Sequence, residues 1–216
     1  MTLPEPSASD APPPPASSGI APELPLSILE SVRRHDRPTE LLEEEDLTAS
    51  LPRRLGHTGV VETQIQRYHD AVRHHRPVPA DDITHLLRLV LRRPDAAAIL
   101  REAGSDVAQR LFRRHPGRLL SRLPLPRRAR MAAARRATQR VMRRLAGPAT
   151  LKVEGSLSVE LRDSLGTARG EGGTACVLYT AVIEETVYRA TGQHMEVRET
   201  RCATRGAVSC VWTIDS

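Results

Sequence analysis

Aromatic residues are scarce in this chain, with one Trp, three Tyr and one Phe among 216 residues. Exposed aromatic rings are the usual platform on which proteins stack the bases of single-stranded nucleic acids. Recognised nucleic-acid motifs are also lacking, so the sequence makes nucleic acid an unlikely partner.

Long apolar runs are lacking as well, because no stretch approaches the roughly 20 residues that cross a bilayer. The opening "MTLPEPSASD" has neither the basic nor the apolar segment of a secretory signal. We therefore expect a cytoplasmic protein without a transmembrane segment. Three cysteines in a reducing compartment do not make a disulfide framework, which leaves metal binding, catalysis or packing as their role.

Acidic residues are absent between Val107 and Val153, whereas that window holds thirteen arginines and Lys152. This window carries the excess behind the net charge of +6. Such a field attracts phosphates, anionic lipid headgroups, acidic partners or ligands with carboxylates. A solvated, arginine-rich helix face without a partner is an equally good interpretation of the same pattern.

The composition changes near residue 55 and predicts two regions. Residues 1–55 are rich in Pro, Ser and acidic residues, which predicts a disordered tail with at most a transient helix. Residues 56–216 are predicted to form one ligand-binding domain. Between Gly56 and Gly147, apolar residues recur at helical spacing in several segments, for example at Ile99, Ala103 and Val107.

The C-terminal third has strand patterns around one helix. Residues 149–162 alternate like two strands, residues 174–192 form a helix that ends at a glycine, and residues 193–215 alternate around a glycine-containing turn. The sequence therefore predicts an α+β fold, in which N-terminal helices pack with a small antiparallel sheet and one long helix. The last element is predicted to be a β-hairpin fastened by a metal.

The metal is expected from four residues, Cys176, Glu199, Cys202 and Cys210. Three thiolates and one carboxylate complete the tetrahedral shell that zinc prefers, with no open position. In a regular strand Glu199 and Cys202 would point to opposite faces, so a bend near Arg201 is required. Spacing alone leaves the alternative open that the cysteines are small buried hydrophobic residues.

The segment Gly172 to Ile214, "GGTACVLYTAVIEETVYRATGQHMEVRETRCATRGAVSCVWTI", resembles the end of the 4-vinyl reductase domain. Both have a Cys at the head of a helix, E-x-x-C after a strand, a glycine-containing turn and a last Cys. The resemblance implies a structural zinc held by Cys176, Glu199, Cys202 and Cys210. A weaker similarity, from Gly56 onward, is to the bacteriochlorophyll-biosynthesis branch of the family, the 4-vinyl protochlorophyllide reductases.

The resemblance implies a function in bacteriochlorophyll biosynthesis, with a tetrapyrrole or another apolar small molecule as ligand. No nicotinamide or flavin site is detected, because "GTARGEGG" lacks the GxGxxG spacing. Three cysteines are also too few for a four-thiolate iron-sulfur cluster. We therefore expect a carrier or accessory for vinyl reduction whose electrons come from a separate reductase partner, with catalytic residues unknown.

Two other functions are compatible with the sequence. One is a zinc-stabilised sensor or adaptor domain for a small molecule, and the other is an anionic-surface binder that uses the arginine-rich helices. A homodimer is expected by resemblance alone.

Overall fold

The computed structural model describes residues 19–36, 59–113, 126–146, 150–154, 157–162, 165 and 173–215. These residues form six α-helices: α1 (Glu23–His35), α2 (Gly59–Arg73), α3 (Ala80–Leu91), α4 (Ala96–Arg113), α5 (Arg127–Ala146) and α6 (Cys176–Thr191). They also form four strands: β1 (Thr150–Glu154), β2 (Ser158–Arg162), β3 (Glu196–Arg201) and β4 (Cys210–Asp215). The predicted α+β fold is confirmed.

The four strands make one antiparallel sheet in the order β1-β2-β4-β3. Val159 and Leu161 of β2 are fully buried, as are Cys210 and Trp212 of β4, because alternate side chains along a strand point to the same face. The indole Nε1 of Trp212 donates a hydrogen bond to Thr180 Oγ1 of α6 at 2.9 Å. Helix α6 therefore lies on the buried face of the sheet.

Helix α4 packs closely against α6, and Gly104 makes this approach possible. A Cβ at Gly104 would lie 2.5 Å from the Leu178 carbonyl oxygen and 2.8 Å from Ala181 Cβ. Helix α5 packs on α6 from another direction and also contacts β1. The apolar stripe predicted on α4 is confirmed, since Ile99, Ala103, Val107 and Leu111 are all buried.

Helix α1 corrects one prediction. Residues 19–36 were expected within a disordered tail, yet Leu24, Leu26 and Ile28 are fully buried in the main core. The sequence pattern failed here because a 13-residue helix is marginal alone, and its burial depends on distant parts of the chain. The remaining residues of the predicted tail, 1–18 and 37–55, lie outside the described part of the chain.

Hydrogen bonds and ion pairs hold α1 in place along its length. Ile20 and Val78 exchange two backbone hydrogen bonds of 2.9 Å, and the Ala21 N–H donates to the Arg144 carbonyl at 2.9 Å. At the other end, Arg34 pairs with Glu102 and Asp106 of α4. These contacts connect α1 to α4, to the end of α5 and to the segment before α3.

No helix among the described residues has the length and apolar character needed to cross a membrane.

Candidate metal centre

The hairpin of β3 and β4 presents the first two members of the site on one face. Glu199 of β3 stands opposite Trp212 of β4 in the antiparallel register. Cys210 lies two residues before Trp212, and side chains two apart on a strand share a face. Glu199 and Cys210 consequently point to the same side of the sheet, towards α6.

A register irregularity in β3 brings Cys202 to this side as well. Glu199 pairs with Trp212 whereas Arg201 pairs with Val211, so Thr200 is an additional residue in the ladder. An inserted residue reverses the alternation of the side chains that follow it. The bend that the sequence analysis required near Arg201 is thus a β-bulge.

A short 3₁₀ turn, Ala203–Arg205, follows Cys202 and reverses the chain. The N–H groups of Arg205 and Ala207 both donate to the Cys202 carbonyl, at 3.1 and 3.2 Å. Gly206 ends the turn with φ of 93°, in the left-handed region that glycine adopts without strain. This turn fixes the distance between Cys202 and Cys210.

Cys176 reaches the hairpin from the first turn of α6. Its backbone N–H donates to the Gly173 carbonyl at 2.9 Å, which anchors the start of the helix. Its Sγ lies 3.6 Å from the Sγ of Cys202 and 3.7 Å from that of Cys210. The third cysteine thus comes from a different element than the other two.

These distances fit a tetrahedral metal centre. With zinc-to-sulfur bonds of about 2.3 Å, two sulfurs of a tetrahedron are separated by about 3.8 Å. The ligand atoms of Cys176, Glu199, Cys202 and Cys210 all lie within 4.8 Å of one another. The three cysteines are free thiols and buried, and Glu199 is partly buried.

The Glu199 carboxylate has two different surroundings. Its Oε1 is buried and has no hydrogen-bond partner in the described part of the chain. Its Oε2 lies 3.9 Å from Nη2 of Arg205. A buried carboxylate oxygen without a partner is costly, and a metal ion among the three sulfurs would satisfy it.

Hydrogen bonds to sulfur complete the surroundings of the site. The Ala203 N–H donates to Cys210 Sγ at 3.4 Å, and the Thr204 hydroxyl lies 3.0 Å from Cys202 Sγ. Such bonds disperse the charge of metal-bound thiolates and orient them.

The thiol pair Cys176 and Cys210 shares one proton in the metal-free site. The hydrogen bond to Cys210 raises the pKa of Cys176 far above its usual range, and burial and the Glu199 carboxylate act in the same direction. The same bond lowers the pKa of Cys210 to about 6. Binding of a metal as thiolates therefore has to displace the Cys176 proton, which makes metal affinity dependent on pH.

All four residues predicted as ligands come together in the structure. No other cluster of this kind occurs among the residues that the structure describes. The sequence analysis missed Arg205 and Thr204, which it treated only as turn residues. The pattern C-x-T-R-G gives no signal for their contacts, because these depend on how the turn lies against Glu199 and the start of α6.

The arrangement is suited to structure more than to catalysis. Four protein ligands fill the tetrahedral shell, so no position stays open for water or substrate. A metal here would join α6 to the hairpin and, through α6, to α4 and α5.

Comparisons with curated proteins and with solved structures gave no match. The family model of the 4-vinyl reductase domain matches residues 157–215, which include all four residues of the candidate metal centre. This match supports assigning residues 157–215 to the 4-vinyl reductase domain family.

Proposed function

We propose that this protein works in bacteriochlorophyll biosynthesis as a zinc-containing, tetrapyrrole-binding protein of the 4-vinyl reductase type. One observation carries the proposal: three cysteines and a glutamate lie at metal-ligand distances inside the segment that matches the 4-vinyl reductase domain. The branch of the family and the ligand rest on the sequence resemblance described above.

Zinc is the metal that this set of side chains fits best. Thiolates favour soft or borderline metals, and four ligands without redox partners suit zinc, which has no redox chemistry. Cys176, Cys202, Cys210 and Glu199 would hold it. When bound, zinc supplies a cross-link between the start of α6 and the hairpin, and the polypeptide around it provides the ligand-binding surface.

The proposed ligand is a vinyl-bearing protochlorophyllide or chlorophyllide. Such a molecule combines an apolar ring with a carboxylate, and arginine pairs with carboxylates in a bidentate manner. The arginines of α5 supply such groups close to the sheet. Reduction of the vinyl group needs electrons, which we assign to a separate reductase partner, with this protein as the carrier or accessory in the cytoplasm.

The first test combines metal content with pigment binding. Zinc is measured by elemental analysis of the purified wild-type protein and of Cys202→Ser, followed by titration with a chlorophyllide monitored by absorbance. We expect about one zinc per wild-type chain, less than about a tenth of that in Cys202→Ser, and saturable pigment binding by the wild type. Val208→Ala is the matched control, because Val208 lies on the same hairpin and is 85% exposed.

The outcomes separate the parts of the proposal. Zinc without pigment binding would retain the metal centre and contradict the tetrapyrrole ligand, in favour of a sensor or adaptor for another small molecule. Wild-type protein that is reduced, freshly purified and free of zinc would return the cysteines to an ordinary core role.

A second function is favoured by one specific observation on α5. Arg128, Arg135, Arg136 and Arg143 are exposed and form no ion pair or hydrogen bond through their side chains within the described residues. Their spacing of seven or eight residues places them on one face of the helix. This face, the α5 arginine face, is a candidate surface for an anionic membrane.

A further inference from the structure

The guanidinium of Arg205 lies between the two halves of the candidate metal centre. Its Nη2 is 3.9 Å from Oε2 of Glu199 on the hairpin. It also covers Gly173, since a Cβ there would lie 3.1 Å from Nη2 and 3.4 Å from Nε. Gly173 accepts the backbone hydrogen bond of Cys176. One side chain therefore touches both the glutamate and the turn that positions the Cys176 thiol.

The backbone of Arg205 is held rigidly with respect to the ligands. Its N–H donates to the carbonyl of Cys202, and the Gly206 N–H donates to the carbonyl of Ala203. Although the Arg205 side chain is 64% exposed, the starting point of that side chain is thus fixed within the ligand-bearing turn.

The site needs a positive charge beside it. Three thiolates and one carboxylate carry four negative charges, and a divalent ion neutralises two of them. The remaining charge is partly buried, where nearby cations have a larger effect than in bulk water. Among the described residues, Arg205 is the cation found in an ion pair with Glu199.

The two oxygens of Glu199 divide the work. The partnerless Oε1 is the buried one, whereas Oε2 is the one that faces Arg205. We propose that Arg205 is a positioning residue of the metal centre, which holds Oε2 so that Oε1 faces the metal and which offsets the excess negative charge. This inference rests on the proposed zinc site.

The test compares Arg205→Ala with Arg201→Ala. Arg201 belongs to the same hairpin, is exposed and forms no ion pair within the described residues, so its loss changes the net charge equally. Zinc affinity is measured by competition with a chromophoric chelator. We expect Arg205→Ala to weaken zinc binding by about 10- to 100-fold, the effect common for groups that orient metal ligands, and Arg201→Ala to stay within about twofold of wild type. Arg205→Lys, which keeps the charge, is expected to recover part of the affinity.

Cobalt provides a spectroscopic readout that a general loss of stability would not reproduce. In Arg205→Ala, the thiolate-to-cobalt charge-transfer band should persist because the three cysteines remain, while the visible ligand-field bands shift as they do in Glu199→Gln. In the Glu199→Gln background, Arg205→Ala should have little further effect on affinity, because its partner carboxylate is already lost.

Equal zinc affinities in Arg205→Ala and Arg201→Ala would overturn the inference. Fully additive losses in the double variant would overturn it too, since Arg205 would then act independently of Glu199. If the wild-type protein bound neither zinc nor cobalt, the metal centre itself would be contradicted, an outcome distinct from the failure of Arg205 alone.

Discussion

Gly206 illustrates how a single residue shapes the candidate metal centre. It has φ of 93° and closes the turn between Cys202 and Cys210. A Cβ at this position would meet no atom within 4 Å, so steric contact with neighbours does not restrict it. The backbone conformation alone makes glycine preferable here, because the left-handed region is strained for side chains other than glycine and, to a lesser degree, asparagine.

Replacement of Gly206 by alanine is predicted to lower the free energy of unfolding by about 1–2 kcal/mol. Gly206→Asn is the matched control and should cost clearly less, because asparagine tolerates the left-handed conformation. Chemical denaturation of the zinc-saturated proteins measures both values. Equal losses for alanine and asparagine would show that backbone strain at this residue is not the cause.

The cysteines show what can be read from single residues and their spacing. Glu199, Cys202 and Cys210 lie close in the chain, and the need for a bend between the first two follows from strand alternation. The approach of Cys176, 26 residues before Cys202, came from the resemblance to the 4-vinyl reductase domain, and the sulfur distances of 3.6 and 3.7 Å agree with it.

At the scale of elements, α1 is the helix whose position was hardest to foresee. Its N-terminal part is buried on all sides, including Ser27 and Ser31, which a pattern search reads as polar surface positions. Ser31 donates to the Ile99 carbonyl and lies 3.0 Å from Glu102 Oε2. Both partners are on α4, so the burial of α1 is created by a helix about 70 residues further along the chain.

Ile28→Ala tests the role of α1 as part of the core. Ile28 is fully buried, so we predict a loss of about 2–5 kcal/mol in the free energy of unfolding. Arg33→Ala on the same helix is the control, since its side chain is 40% exposed, and it should change stability by about 0.5 kcal/mol or less. Thermal or denaturant unfolding would reveal the difference. An Ile28→Ala protein as stable as Arg33→Ala would contradict the docked position of α1.

At the scale of the whole molecule, charge is distributed unevenly. Helix α5 has eight arginines and no acidic residue, whereas Glu30 of α1 and Glu102 of α4 are engaged in ion pairs with Arg110 and Arg34. The apolar side of α5 is buried through Ala134, Ala137, Val141, Met142 and Leu145. The α5 arginine face can therefore adsorb to an anionic surface by charge, but the helix cannot insert into a bilayer without unpacking the core.

Vesicle sedimentation tests the α5 arginine face. We predict that the wild type binds phosphatidylglycerol-containing vesicles more tightly than neutral ones, with an affinity that falls as salt increases. Changing Arg128, Arg135, Arg136 and Arg143 to Gln should reduce the affinity by roughly two to three orders of magnitude at low salt, at about 1 kcal/mol per arginine. The control changes Arg73, Arg76, Arg88 and Arg92, which are exposed on the α2 and α3 side. Similar losses in both variants would indicate a non-specific effect of net charge.

The sequence by itself determined those features that depend on neighbours along the chain. The apolar stripe of α4, the end of α6 at Gly192 and the glycine turn of the hairpin were all predictable, because helix and strand periodicity and left-handed glycines are local properties. The ligand types and most of their spacing were equally visible, since a hairpin brings close residues together.

The tertiary structure alone decided the features that depend on distant surfaces. Whether α1 is ordered depends on the apolar and charged groups that α4, α5 and the segment before α3 offer it, and no pattern within residues 19–36 encodes those groups. The contact of Arg205 with both Glu199 and Gly173 likewise exists because α6 docks onto the hairpin at one particular angle. Burial is a property of the assembled chain, so sequence periodicity predicts which face a helix buries but not what covers it.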